Sequence, residues 1–124
     1  MKSMSAKTRK RIDECREFRL NIREEVGRCE LCGGPPTDWG FSVHEIARGP
    51  NRLKALDKRY AVLVLCYDCH NERIHNGPEK WPEKKQLALL KRSWPDDFDL
   101  PSYNALVGYG PDRVTALDVE NAEV

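Results

Sequence analysis

Cys29-Glu30-Leu31-Cys32-Gly33-Gly34, then Val43-His44-Glu45-Ile46, then Leu65-Cys66-Tyr67-Asp68-Cys69-His70: between the first of these residues and His75 lie four of the five cysteines and all three histidines of the chain. Each Cys-x-x-Cys pair has the spacing at which a tight turn presents two sulfurs to one tetrahedral ion, and two such turns complete a four-cysteine site of the structural zinc type. Gly33 and Gly34 follow the first pair, where a knuckle turn needs backbone that only glycine adopts freely. Disulfides are the competing use of four cysteines. They need an oxidising compartment, and the start Met-Lys-Ser-Met-Ser-Ala-Lys-Thr-Arg-Lys lacks the apolar core of a secretory signal. Cys15 has no partner at ligand spacing and reads as a small apolar residue on a helix face.

Working outward, Trp39 to Ile46 has the composition of a short strand through Phe41, Val43 and Ile46, after a turn signal at Gly34-Pro35-Pro36-Thr37-Asp38. Tyr60 to Leu65 is apolar and β-branched, as expected of a buried second strand. Residues 47–59 between them form a basic loop with a helical turn near Leu53 to Leu56. Cys66 to His75 begins as a knuckle and continues as a helix closed by Gly77-Pro78. Strand, loop, strand and helix thus wrap one metal site as a β-β-α unit.

On the N-terminal side, residues 5–26 read as a helix, with Ile12, Cys15, Arg19, Ile22 and Val26 on one stripe and Gly27 ending it. On the C-terminal side, Trp81-Pro82-Glu83 opens a helix with Leu87, Leu90 and Trp94 on one face, and Pro95 stops it. Tyr103 to Val107 is a short apolar piece expected to dock on the core, Gly108-Tyr109-Gly110-Pro111 breaks again, and Thr115 to Asp118 resembles a helix capping box. The expected fold is α+β and a single domain overall. It comprises a basic N-terminal helix (1–28), a zinc-bound core (29–78), and C-terminal helices with an acidic tail (79–124) that pack on the core or trail it.

With 21 basic and 20 acidic side chains the net charge is +1 and excludes little, but its distribution is uneven. Residues 1–28 carry nine basic and five acidic groups (+4), residues 76–94 five and two (+3), residues 29–75 six and six, and residues 95–124 one against seven (-6). Basic helices flanking a neutral site suit a polyanion, although ordinary solvated helix faces also carry blocks of this size. The cations Lys7, Arg9, Lys10 and Arg11 lie in the first turns of the N-terminal helix, where they oppose its dipole and a phosphate would favour them. No apolar run is of membrane length.

The combination of Cys29-x-x-Cys32, the histidine-bearing segment ending in Ile46, and Leu65-Cys66-x-x-Cys69-His70 resembles the HNH endonucleases. The likeness covers about 47 residues, Cys29 to His75. It implies a ββα-metal fold clamped by a four-cysteine zinc site, and a metal-dependent DNA endonuclease that hydrolyses phosphodiester bonds. It further implies a divalent ion, Mg²⁺ or Mn²⁺, held by a strand residue and a helix residue, with a histidine activating water. The segment His44 to Arg52 with its later cysteines and histidines also looks like small phage-type members, which implies an intracellular, mobile-element or phage setting.

The family's strand motif is usually Asp-His-Ile or His-His-Ile. Aligned on Ile46, His44 takes the metal position and Glu45 replaces the catalytic histidine. A carboxylate can do that work if its surroundings tune it, but strand alternation sends His44 and Glu45 to opposite faces unless the strand bulges. In a second register His44 is the base and Val43 stands where a ligand should, leaving the ion to His70, His75 or a carboxylate. The preferred reading has His44, Glu45 and His70 as catalytic residues and His44 and His70 holding the catalytic ion, with His75 as a secondary ligand. Arg48, Asn51, Arg52, Lys54, Arg59, Asn71 and Arg73 are the candidate DNA contacts. Ala61 stands where the family tends to have an asparagine. The alternative is a non-catalytic zinc module that binds nucleic acid or protein on the same scaffold; a redox protein is disfavoured because no thioredoxin-like βαβ pattern surrounds the cysteine pairs.

Overall fold

The computed structural model describes residues 5–35, 40–75, 81–108, 113–122 and 124, and the backbone alone of His75. The first helix, α1 (Ala6–Val26), starts where the Ser5 hydroxyl accepts from the Thr8 N–H and ends where Gly27, at φ 66°, turns its N–H back to the Arg23 carbonyl. Cys15, Ile22 and Val26 of the expected stripe are buried. Arg19 shares that stripe without breaking it, because its guanidinium donates to the carbonyls of Val43 at 2.6 Å and Leu56 at 3.2 Å.

Two antiparallel strands, β1 (Phe41–Glu45) and β2 (Val62–Cys66), pair in an unbroken register with Val43 opposite Val64 and His44 opposite Leu63. A short helix, α2 (Asn51–Ala55), and a 3₁₀ turn (Arg59–Ala61) connect them. Tyr60 and Ala61 therefore belong to this turn rather than to β2. The alternation divides the sheet's two faces. Val43, Val62 and Val64 pack with Ile22 and Val26 of α1, while Leu63, Leu65 and Ile46 join the main core.

Beyond Cys69 the chain forms a widened π-helical segment (Cys69–His75) instead of a plain α-helix. Such i→i+5 turns are rare and frequent at functional sites. The remaining helices are α3 (Glu83–Ser93), α4 (Leu100–Val107) and α5 (Ala116–Asn121). Pro82 is the residue before α3 rather than part of its first turn, and Pro95 opens a 3₁₀ turn. Leu87, Leu89, Leu90, Tyr103 and Val119 share one core with Leu63, Leu65 and Ile74, so the C-terminal segment packs on the central unit. The capping box at α5 is present: the Thr115 hydroxyl accepts from Asp118 N–H, and the Asp118 carboxylate accepts from Thr115 N–H. The expected turn residues Pro36, Thr37 and Asp38, Trp39 at the strand's start, and the breaks at Gly77-Pro78 and Tyr109-Gly110-Pro111 lie outside the described residues.

Two arginines counted among the phosphate-facing cations are used inside the protein. Arg11 donates to the carbonyls of Leu53 and Lys54 in α2 and pairs with Asp57 at 2.8 Å, so it neutralises a helix C-terminus and its neighbouring acid. Arg59 pairs with Glu30 and with Asp97 at 3.1 Å and donates to the Val62 carbonyl at 2.9 Å. These bonds withdraw its guanidinium from the candidate DNA contacts.

Glu30, between the first two cysteines, is the acceptor that organises this region. Its carboxylate is fully buried and takes bonds from Arg59, from the Val64 N–H at 2.7 Å and from the Ser93 hydroxyl at 3.0 Å. One side chain thereby ties the first knuckle to β2, to the turn before it and to α3. Removing one partner of a buried, hydrogen-bonded ion pair strands the other charge, so Glu30→Ala is expected to destabilise the zinc-loaded protein by about 3 to 5 kcal/mol. Denaturant unfolding in the presence of zinc measures it; a midpoint equal to the wild type's would mean that the pair holds nothing together.

Candidate metal centres

The four sulfurs of Cys29, Cys32, Cys66 and Cys69 lie within 4.8 Å of one another, and all four thiols are free of disulfides. Cys32 Sγ and Cys66 Sγ are 3.8 Å apart, the edge of a tetrahedron whose metal–sulfur bonds measure about 2.3 Å. Local backbone makes the first knuckle. Cys29 N–H donates to the Gly34 carbonyl and Gly33 N–H to the Cys29 carbonyl. Gly33 sits at φ 75°, and a Cβ on Gly34 would come within 3.2 Å of the Cys32 sulfur. Neither position accepts a larger residue without disturbing the ligand turn.

The electrostatics match a cation. Burial pushes the Cys29 thiol up, but backbone N–H groups of Cys32, Cys66 and Leu31 outweigh it and bring it down to about 7. Burial pushes the Cys66 and Cys69 thiols up, and negative charge on Cys29 adds to it. Several thiolates at this spacing repel, and a divalent ion among them removes the conflict. The four cysteines therefore form a site able to hold one metal ion such as zinc. Cys15 is a fully buried helix-face residue, as its lack of a partner suggested.

A second candidate site adjoins the four cysteines, since His70 follows Cys69. His70 Nε2 lies 3.2 Å from His44 Nδ1. Two nitrogens bound to one ion at about 2.1 Å are about 3.0 to 3.4 Å apart in octahedral or tetrahedral geometry, so the pair is already at ligand spacing. On its other edge, His44 Nε2 is 2.7 Å from Gln86 Oε1, and Gln86 Nε2 donates to the Trp81 carbonyl at 2.9 Å. Both histidines border a cavity of about 360 Å³ that Ala47, Arg48, Gly49, Arg52 and Ile74 also line. The side chain of His75 lies outside the described residues.

Glu45 lines the same cavity as the histidine pair but projects from the other face of β1. The β1 ladder has no bulge, and alternation turns His44 toward α3 and Glu45 toward α1. The Glu45 carboxylate lies 3.4 Å from Arg19 and 3.5 Å from Arg52, and it reaches the cavity only as part of its lining. Among the candidate DNA contacts, Arg48, Arg52, Lys54 and Arg73 are exposed and Asn51 and Asn71 half-buried. Arg48 also approaches the buried Glu83 at 3.4 Å, and Glu83 accepts from the Tyr103 hydroxyl at 2.6 Å.

Sequence reasoning missed Gln86 and Glu30. Gln86 did leave a signal, since Glu83, Gln86, Leu87 and Leu90 fall at helical spacing on one buried face of α3, and polar groups on such a face are there to be bonded. Glu30 left none, because its partners Arg59, Val64 and Ser93 lie 29, 34 and 63 positions away and meet it only through tertiary folding. Among the described residues no helix is long and apolar enough to cross a membrane. Comparison with known protein families, with curated proteins and with solved structures finds no match to this chain.

Proposed function

We propose that the protein is a metal-dependent DNA endonuclease of HNH type, with zinc as the structural ion of the four cysteines and Mg²⁺ or Mn²⁺ at His44 and His70. The observation that carries the reading is the 3.2 Å spacing of His44 Nδ1 and His70 Nε2 on a cavity bordered by Arg48 and Arg52. A divalent ion held there would supply Lewis-acid stabilisation of the charge that develops on the phosphate and the leaving oxygen. Arg48 and Arg52 attract and orient the phosphodiester by charge, without reading bases. Glu45, braced by Arg19 and Arg52 at the rim of the same cavity, is the candidate acceptor of a proton from the attacking water. The order β1, β2 and the helical segment that carries His70 supports this reading. The test is cleavage of single-stranded, duplex and branched DNA by the zinc-loaded protein with added Mg²⁺ or Mn²⁺.

A non-catalytic zinc module that binds nucleic acid is the second reading, and the pairing of Glu45 with two guanidiniums favours it, because a carboxylate so held serves structure as readily as catalysis. Both readings expect DNA affinity to fall as salt rises, with a log-log slope of about -0.9 per phosphate neutralised. Replacing Arg48 and Arg52 together by Ala is expected to flatten that slope by about 1.8. Arg59→Ala, in a position committed to Glu30 and Asp97, leaves the slope unchanged in the protein that remains folded. Binding indifferent to salt would point to a protein partner instead.

A further inference from the structure

We infer that Gln86 is a positioning residue that fixes the tautomer of His44 and so aims the Nδ1 lone pair at the ion shared with His70. Hydrogen-bond polarity fixes the orientation of both side chains. The amide atom of Gln86 facing the Trp81 carbonyl at 2.9 Å must be the NH₂ group, because a carbonyl oxygen accepts only. The atom facing His44 at 2.7 Å is then the amide oxygen, which also accepts only. His44 Nε2 must therefore carry a hydrogen. In neutral imidazole the other nitrogen, Nδ1, holds the lone pair, and it is Nδ1 that lies 3.2 Å from His70 Nε2. The chain of bonds runs in one direction, from His70 through His44 and Gln86 to a backbone carbonyl that Trp81 contributes just before α3. Gln86 is buried within α3, so the packed core sets the orientation of the ring.

The consequence reaches the mechanism, and that part rests on the nuclease reading. With Nε2–H committed to Gln86 and Nδ1 directed at the ion, His44 is a ligand and not the base that activates water. The proton-accepting role passes to another group at the cavity, for which Glu45 is the candidate. The register in which His44 is the base is thereby disfavoured. An outer partner that orders a ligating histidine typically changes metal affinity by about 10- to 100-fold when lost.

Nitrogen NMR of ¹⁵N-histidine-labelled, zinc-loaded protein tests the tautomer without any assay of cleavage. At a pH where His44 is neutral, the expected spectrum has its Nε2 protonated and its Nδ1 unprotonated, and a second equivalent of Zn²⁺ shifts Nδ1 of His44 together with Nε2 of His70. Gln86→Met, of similar volume but unable to accept from Nε2–H, is expected to weaken binding of the second Zn²⁺ by about 10- to 100-fold while the four-cysteine site stays filled. Gln86→Glu, which keeps an acceptor, restores much of that affinity. A proton on Nδ1 of His44 in the wild type overturns the inference, and so does a Gln86→Met protein that binds the second ion as tightly as the wild type. Should Gln86→Met fail to fold, the wild-type spectrum still decides. A protein with the expected tautomer and second-ion binding that cleaves no DNA supports this inference while overturning the nuclease reading.

Discussion

Chelating a zinc ion held by Cys29, Cys32, Cys66 and Cys69 is expected to unfold the central unit, seen as loss of native circular dichroism and its return when Zn²⁺ is added back. Apparent binding free energies of structural zinc sites are about 10 to 16 kcal/mol near neutral pH, against about 5 to 15 kcal/mol for the whole stability of a typical domain. An ion there would join the first knuckle to the end of β2 and to the start of the segment bearing His70. Glu30 also ties the first knuckle to β2 through Val64 and Arg59. The thiols of Cys66 and Cys69, pushed up by burial, hold protons in the metal-free state. Loading therefore releases protons, and acidification works against it. Native dichroism that persists after complete metal removal would sink the assignment.

His44→Ala and His70→Ala are expected to abolish the proposed DNA cleavage and to leave metal binding by the four cysteines and the fold in place. Neither imidazole is a ligand of the all-sulfur site, whereas each supplies one of the two nitrogens at 3.2 Å. Metal stabilisation of the transition-state charge is worth several kcal/mol, and each 1.36 kcal/mol is tenfold in rate, so a loss of about 10³-fold or more is expected for either variant. Glu45→Gln separates the mechanisms. If Glu45 accepts the proton from water, the rate falls by about 10² to 10⁴ with DNA affinity little changed. A silent Glu45→Gln would leave the carboxylate as a partner of Arg19 and Arg52 only. Failure of the wild type to cut any DNA form with Mg²⁺ or Mn²⁺ would favour the binding module.

Local pattern carried much of this fold. The stripe through Cys15, Ile22 and Val26, the cap at Gly27, the two short strands and the Thr115 capping box are each decided by residues close together in the chain, and each is found close to where periodicity and turn chemistry put it. The four-cysteine cluster was legible for the same reason, since each pair is a local turn and only the meeting of the two is tertiary. Charge was the poorer guide. Arg11 and Arg59 read as cations awaiting phosphate, yet their partners, Asp57 and Glu30, lie 46 and 29 positions away. A long flexible side chain does not disclose which distant acceptor it will find. The supports of His44 were hidden similarly, because Gln86 comes from a helix beyond the unit that the spacing of cysteines and histidines marks out.

Glu30 has one more effect. The two-stranded sheet would present the far side of β2 as an unpaired edge, open to another chain's backbone, and such edges recruit partners indiscriminately. At Val64 that edge is closed by a single residue: the Val64 carbonyl accepts from the Glu30 N–H at 2.9 Å, and the Val64 N–H is taken by the Glu30 carboxylate. Glu30 thus stands in for a third strand one residue long, so the turn that carries two metal ligands also guards the sheet against association edge to edge.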